Sequence, residues 1–240
     1  MASKLLRRSG VAVGLISDLL HWRADTIYQV GIGMYHQEVD VLREEWPGVA
    51  IVGFEANPHI VKSVQKRYPG TIFPMAVVNK VGSIGLHSKK RHKDGSSIHK
   101  LNVEHDGDLN IDEVSASTLD AMFPDGPVGN RVLLWLDCEG SELSALKGAV
   151  HFVEKVEVIN VEMTSNPQAE LTWCKPVDVH TWLRKHGFWL QWTHSNRSSS
   201  GQYDAIYVRE HLYDPRYCSC PYSQMEWSKC QRDKRDKSPT

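Results

Sequence analysis

The sequence predicts an α/β fold, a mostly parallel sheet with helices on both faces. Three observations predict it. Short apolar or β-branched runs alternate with segments whose apolar residues recur at helical spacing, the pattern of strand–helix–strand units. Several runs, such as "VAIVGF" (49–54) and "VLLWL" (132–136), are apolar from end to end, as buried parallel strands are. The last two strand candidates, "FWLQWTH" (188–194) and "YDAIYVRE" (203–210), are separated by the polar loop "SNRSSSGQ". They are expected to pair as an antiparallel hairpin at one end of the sheet.

The elements follow in order. Leu15, Ile16, Leu19 and Leu20 fall near helical spacing and predict an amphipathic N-terminal helix within 1–24. "TIYQVGI" (26–32) is the first strand. "HQEVDVLREEW" (36–46) places Val39, Leu42 and Trp46 on one helical face. "VAIVGFE" (49–55) is the second strand and ends on Glu55. "PHIVKSVQKRY" (58–68) is a helix with Pro58 in its first turn and Asn57 as its N-cap. "TIFPMAVV" (71–78) is a third strand, weakened by Pro74. Residues 82–110 are rich in Gly, Ser, Lys, His and Asp and are expected to form a long functional or disordered loop. "IDEVSASTL" (111–119), 131–137 and "KVEVINVEM" (155–163) return to strand. "SELSALKGA" (141–149) and "VDVHTWLRKHG" (177–187) are helices, with Gly148 and Gly187 where C-caps belong. This divides the chain into a helix over 1–24, a domain over 25–210 and an appendage over 211–240 whose charged end is expected to be disordered.

The bulk numbers exclude several classes. In 240 residues, 41% are hydrophobic and 24% charged, ordinary for a globular protein with a sizeable core. Lys and Arg number 28 against 29 Asp and Glu, so no whole-protein field favours nucleic acid or an anionic membrane. No run reaches the roughly 18 apolar residues of a membrane span. Gly14, Ser17 and Asp18 interrupt the apolar stretch that follows Lys4, Arg7 and Arg8, so a signal peptide is not expected and a cytoplasmic location is. Five cysteines, an odd number, give no disulfide framework. Cys218, Cys220 and Cys230 cluster near the C-terminus in no common zinc spacing.

In open α/β sheets ligands bind beyond the carboxyl ends of the strands, near the point where strand order reverses. The residues at those ends are Gly31 and Gly33, then Glu55, then Asp137 and Glu139, then Glu162. A Gly-x-Gly turn allows close backbone approach to a ligand. An acid at the end of the next strand accepts the hydroxyls of an adenosine ribose. The third glycine of a pyrophosphate site is absent, because His36 stands there. A cofactor with ribose and no phosphate fits better, and S-adenosylmethionine is the evident one. Asp137, Glu139 and Glu162 are the candidate catalytic residues: Asp137 to orient cofactor or substrate, Asp137 or Glu139 to take a hydroxyl proton. Glu142 suits the first turn of the following helix. Asp137, Glu139 and Glu162 are hard oxygen ligands, yet no spacing demands a metal and none is expected. His92 and His99 are further candidate bases. Trp173, Trp182, Trp189 and Trp192 are residues that stack on a sugar or fill a core. The basic loop 89–100 would meet an anionic acceptor or simply face solvent.

The ordered set "YQVGIG", "VGFEANP", "DGSSI", "VSASTLDAMF", "LLWLDCEGSELSALKGA" and "VINVEM" resembles the FkbM-type family of S-adenosylmethionine-dependent methyltransferases over residues 25–210. The resemblance implies a Rossmann-like, seven-stranded methyltransferase sheet, mostly parallel with an antiparallel strand near one edge. It implies methyl transfer, usually to a hydroxyl oxygen of a sugar or small metabolite, so the expected partner is a small-molecule or glycan acceptor. It places Gln29, Gly31, Gly33, Glu55, Asn57, Ser96, Ser97 and Asp137 at the cofactor. Gln29 departs from the family, which usually has Asp there; Gln accepts a hydrogen bond but carries no charge. Two other readings stay open. One is a catalytically inactive adenosine-ligand or interaction module on the same fold. The other is nucleic-acid methylation, disfavoured by the balanced charge.

Overall fold

The structure, a computed structural model, describes residues 14–34, 37–89, 95–100, 109–164, 174–195 and 201–217. Its strands are β1 (Thr26–Val30), β2 (Ala50–Phe54), β3 (Thr71–Phe73), β4 (Ala76–Val77), β5 (Gly82–Lys89), β6 (Leu109–Ser117), β7 (Val132–Leu136), β8 (Val156–Thr164), β9 (Phe188–Ser195) and β10 (Gln202–Arg209). Its α-helices are α1 (Gln37–Glu45), α2 (Pro58–Val64), α3 (Leu119–Met122), α4 (Glu142–Lys147) and α5 (Pro176–Lys185). Seven strands form the main sheet in the order β3-β2-β1-β7-β8-β10-β9. β1 pairs parallel with both β2 and β7, and β7 pairs parallel with β8. β10 runs antiparallel to β8 and to β9, so the expected hairpin closes one end of the sheet.

The chain steps outward from β1 to β2 and β3, then returns to lay β7 on the other side of β1. The order therefore reverses between β1 and β7, which fixes where a ligand is expected to bind. The end-to-end apolar strands have their physical reason in two cores. Tyr28, Val30, Leu134 and Leu136 point into one, with Ala145, Leu146, Val179 and Leu183 of the helices above. Ile27, Leu133 and Trp135 point into the other, with Val39, Leu42, Ile60 and Val64. Alternate residues of one strand thus feed opposite layers.

Two expectations need correction. The strand expected over 71–78 breaks at Pro74, which has no N–H to give a ladder. β3 stays in the main sheet while β4 leaves for a second sheet of order β4-β6-β5. Residues 82–89, expected within a long loop, are β5, paired antiparallel with β6 along its whole length. Only Ile84 and Leu86 mark its apolar face, packed with Val78, Val114 and Ala116. Gly148 caps α4 with an ordinary φ of −89°. Glycine is needed there for space: a Cβ would lie 2.2 Å from the Val78 carbonyl oxygen. Gly187, by contrast, has φ +83° and follows α5 as a left-handed stop.

Of the N-terminal helix, Leu15–Leu19 forms a π-helical turn, where buried Ile16 joins the second core and Ser17 accepts a hydrogen bond from Trp46. Cys218, Cys220, Cys230 and the C-terminal tail lie outside the described residues. No helix among the described residues is long and apolar enough to cross a membrane.

Candidate active site

The ends of β1 and β7 are locked together by glycine. Gly31 takes φ +88° and donates to the Phe54 carbonyl at 2.9 Å, while Asp137 donates its N–H to Val30 at 2.9 Å. An added Cβ on Gly31 would lie 1.8 Å from the Asp137 carbonyl oxygen. Gly33 takes φ +65°, and among the described residues nothing lies within 4 Å of where its Cβ would be. The turn between them is held by Glu55 from the end of β2. One carboxylate oxygen accepts from the N–H of Ile32 at 3.1 Å and of Gly33 at 3.0 Å, and the other from Asn57 at 2.7 Å.

Above this turn lies a cavity of about 320 Å³, within the range of small-molecule sites. Its polar side is made by Glu55, Asp137 and Glu139, and its apolar side by Phe54, Ile60, Met75, Val77 and Ile98.

The loop from Asp137 to Ser141 carries the acids because another acid organises it. Glu142 is buried, and one of its oxygens accepts from the N–H of Cys138 and of Gly140, both at 3.1 Å. Its second oxygen accepts from the Cys174 thiol at 3.2 Å. Burial raises the Glu142 carboxyl above its usual range, against the pull of these donors. Burial likewise pushes the Cys138 thiol far up and that of Cys174 up to about 12, with the Glu142 carboxylate adding to both, so neither is a thiolate nucleophile. The tight loop forces Glu139 into the left-handed region at φ +50°, where a side chain costs about 1–2 kcal/mol.

A second segment, 95–100, clamps onto this loop. Ser97 pairs with His87 of β5 through both backbone bonds, at 2.8 and 2.9 Å. Its hydroxyl donates to the Glu139 carbonyl at 2.6 Å and accepts from the His99 N–H at 3.1 Å. The His99 ring bonds the Gly140 backbone, and burial, then His87, holds its pKa below the usual value. Asn57 caps α2 by accepting from His59 at 2.9 Å and gives its amide N–H to Ser96 at 2.8 Å. Asn57 thus ties the start of α2 to the wall of the cavity.

Behind Asp137 and Glu139 stands Glu162, near the end of β8. One oxygen of each of the three lies within 4.8 Å of the others. Burial pushes the Glu162 carboxyl up to about 8; Glu139, Asp204 and Glu142 add to the rise, and a hydrogen bond with Asp137 opposes it. A carboxyl raised in the folded state favours folding while protonated. Its contribution is complete below pH 4.5, the unfolded value, and is lost as pH climbs through about 8. Glu162→Gln is therefore expected to leave stability unchanged near pH 4 and to raise it by a few kcal/mol near pH 9, since a tenfold change in proton affinity corresponds to about 1.4 kcal/mol. Urea denaturation in EDTA across that range checks this; equal gains at both ends would show that the gain is not ionic.

Residues 30–195 match the Methyltransferase FkbM domain. The chain belongs to the FkbM methyltransferase family. Its cofactor is S-adenosylmethionine, as the family implies. A comparison with curated proteins found no match. Among solved structures the FkbM chain is similar to a magnesium protoporphyrin IX methyltransferase from Synechocystis PCC 6803 with bound SAH. The two are 11% identical, covering 84% of this chain and 82% of that one, with a TM-score of 0.49. It is also similar to an O-methyltransferase family protein from Burkholderia thailandensis: 14% identity, 84% of this chain, 56% of that one, TM-score 0.47. A third is precorrin-6y C5,15-methyltransferase from Geobacter metallireducens GS-15: 11% identity, 88% and 93% coverage, TM-score 0.45.

The FkbM cavity takes in Gly31, Gly33, Glu55, Ser96, Asp137 and Glu139 of the expected residues. Four others do not line it. Gln29 is buried on the face of β1 toward the second core, where its amide oxygen accepts from Tyr68 at 2.9 Å. Asn57 and Ser97 are turned to the cap and the clamp, and Glu162 stands behind the acids. Trp182 stacks on His186 and Trp189 on Arg184, while Trp192 packs on the second core. Their side chains are thus engaged in packing. Trp173 and His92 lie outside the described residues. Sequence reasoning missed the part of Glu142. The available signal was an acid three residues after Glu139 and two after a glycine, positioned to reach back to the preceding N–H groups.

Proposed function

We propose that the chain transfers the methyl group of S-adenosylmethionine to a hydroxyl oxygen of a sugar or other small acceptor. The observation that carries this reading is the pairing, at the switch point, of the glycine turn held by Glu55 with the acids Asp137 and Glu139 on one cavity wall. Glu55 is assigned the ribose hydroxyls, as the acid at the end of the strand after the glycine turn. The apolar wall around Ile60, Val77 and Ile98 suits the adenine. Asp137 and Glu139 face the sulfonium, whose positive charge they offset. In-line transfer needs the acceptor oxygen held about 3 Å from the methyl carbon, so positioning supplies most of the rate. As the methyl bond forms, the hydroxyl proton passes to Asp137 or Glu139. Glu162 supports them by holding Asp137 through its hydrogen bond.

A binding module without turnover is the second reading, and Gln29 favours it. The neutral amide bonded to Tyr68 stands where the family usually carries an acid. One experiment separates the two. The full chain is incubated with methyl-tritiated S-adenosylmethionine and a panel of sugars, small alcohols and amines. Label transferred to hydroxylated acceptors is the expected result. Label on amines alone would overturn the oxygen assignment, and cofactor binding without transfer to any acceptor would favour the module.

A further inference from the structure

We propose that Asp137, Glu139 and Glu162 hold a divalent hard cation of the Mg²⁺, Ca²⁺ or Mn²⁺ type against the wall of the cofactor cavity, with the buried amide of Asn160, on the same sheet face as Glu162, supporting the site. The expectation of no metal rested on ligand spacing along the chain, but folding brings together acids from two different strand ends.

The geometry fits such an ion. One carboxylate oxygen from each of the three residues lies within 4.8 Å of the other two. Oxygens that share an ion at about 2.0–2.6 Å are separated by no more than about twice that distance. Asp137 and Glu139 reach the position from the loop after β7, and Glu162 from the next strand of the sheet.

Asn160 supplies the independent observation. Its side chain is fully buried, and among the described residues its Oδ1 has no hydrogen-bond donor. Asn160 precedes Glu162 by two residues on β8, so the two side chains share a face of the sheet. Its Nδ2 reaches Asp204 at 3.4 Å, and Asp204 is the residue of β10 directly opposite Glu162. The Nδ2 end of the amide therefore lies beside the carboxylate that faces Glu162 across the strands, and the Oδ1 end is the one left without a donor. A buried carbonyl oxygen without a donor is costly, and a hard cation is a partner that satisfies it. Glu139, Asp204 and Glu142 all press on Glu162, and Asp137 shares a hydrogen bond with it. Crowded carboxylates are relieved by a shared proton or by a cation between them.

The site stands by itself; only its role rests on the proposed methyl transfer. An acceptor hydroxyl that ligated the ion would have its oxygen fixed beside the donor and its proton loosened.

The test uses the full chain, dialysed against EDTA and titrated with MnCl₂ by calorimetry and by electron paramagnetic resonance, with and without S-adenosylmethionine. Saturable binding of one Mn²⁺, weakened at least tenfold in Glu162→Gln and in Asn160→Leu, is expected. If Asn160→Leu does not fold, Asn160→Asp replaces it and is expected to bind Mn²⁺ more tightly than the wild type. Absence of saturable Mn²⁺ binding overturns the site, as does binding indifferent to both positions. Displacement of Mn²⁺ by S-adenosylmethionine also overturns it, since the acids would then belong to the cofactor alone. Cofactor binding without Mn²⁺ binding removes the metal and leaves the methyltransferase reading; Mn²⁺ binding without cofactor binding does the reverse.

Discussion

Glu55→Ala is expected to abolish measurable binding of S-adenosylmethionine, weakening it at least about 100-fold, which corresponds to about 2.7 kcal/mol. Two losses combine. The ribose would lose the carboxylate proposed for it, and the glycine turn would lose its anchor. Both oxygens of Glu55 accept from backbone N–H groups: Ile32 and Gly33 on one, Asn57 on the other. Hydrogen bonds to a charged group contribute about 1.5–3 kcal/mol each. For this reason Glu55→Gln is expected to behave almost as badly as the alanine variant, although it keeps the shape. Its NH₂ would be turned toward a backbone donor on one side or the other. Calorimetric titration of the three proteins, with circular dichroism to verify the fold, measures the effect. A glutamine variant that binds like the wild type would show that the turn does not depend on Glu55.

The second large effect falls on stability. Gly31→Ala is expected to cost at least about 3 kcal/mol, and Gly33→Ala only about 1 kcal/mol. Both glycines have positive φ, so the backbone strain is shared. The difference is space. A Cβ at Gly31 would stand 1.8 Å from the Asp137 carbonyl oxygen and 2.8 Å from its carbon, while no atom of the described residues lies within 4 Å of one at Gly33. Backbone atoms at the junction of two parallel strands cannot retreat without breaking the bonds Gly31 N–H to Phe54 and Asp137 N–H to Val30. Urea denaturation of both variants reads the contrast. Equal losses would mean that the strands part easily and that only the dihedral matters.

The site was legible where its chemistry is written in short stretches. Gly31, Gly33 and Glu55 are separated by one strand–helix–strand unit, and Asp137 and Glu139 interrupt an apolar strand with no polar buffer. Acids there are too costly to be incidental. The parts that were not legible depend on contacts remote in sequence. β5 shows two apolar residues on a polar background, and only its pairing with β6 makes it a strand. Glu142 resembles any acid in a helix first turn until its burial and its two N–H partners are seen. Asn57 is a cap by its position, but its second bond runs to Ser96, 39 residues away.

The sequence by itself determined the class of sheet, the strand ends that carry the acids and the family. The first two follow from periodicity, from the conformations only glycine adopts and from the cost of charge beside a core; the family follows from the resemblance of its ordered motifs. Tertiary structure alone decided what the acids face. It turned Gln29 toward Tyr68 and brought 95–100 down on the Glu139 loop. It also set Glu162 and Asn160 beneath Asp137, because residues two apart on a strand share a face whose neighbour is chosen by strand order. That order is a property of the whole sheet, and no local run of residues encodes it.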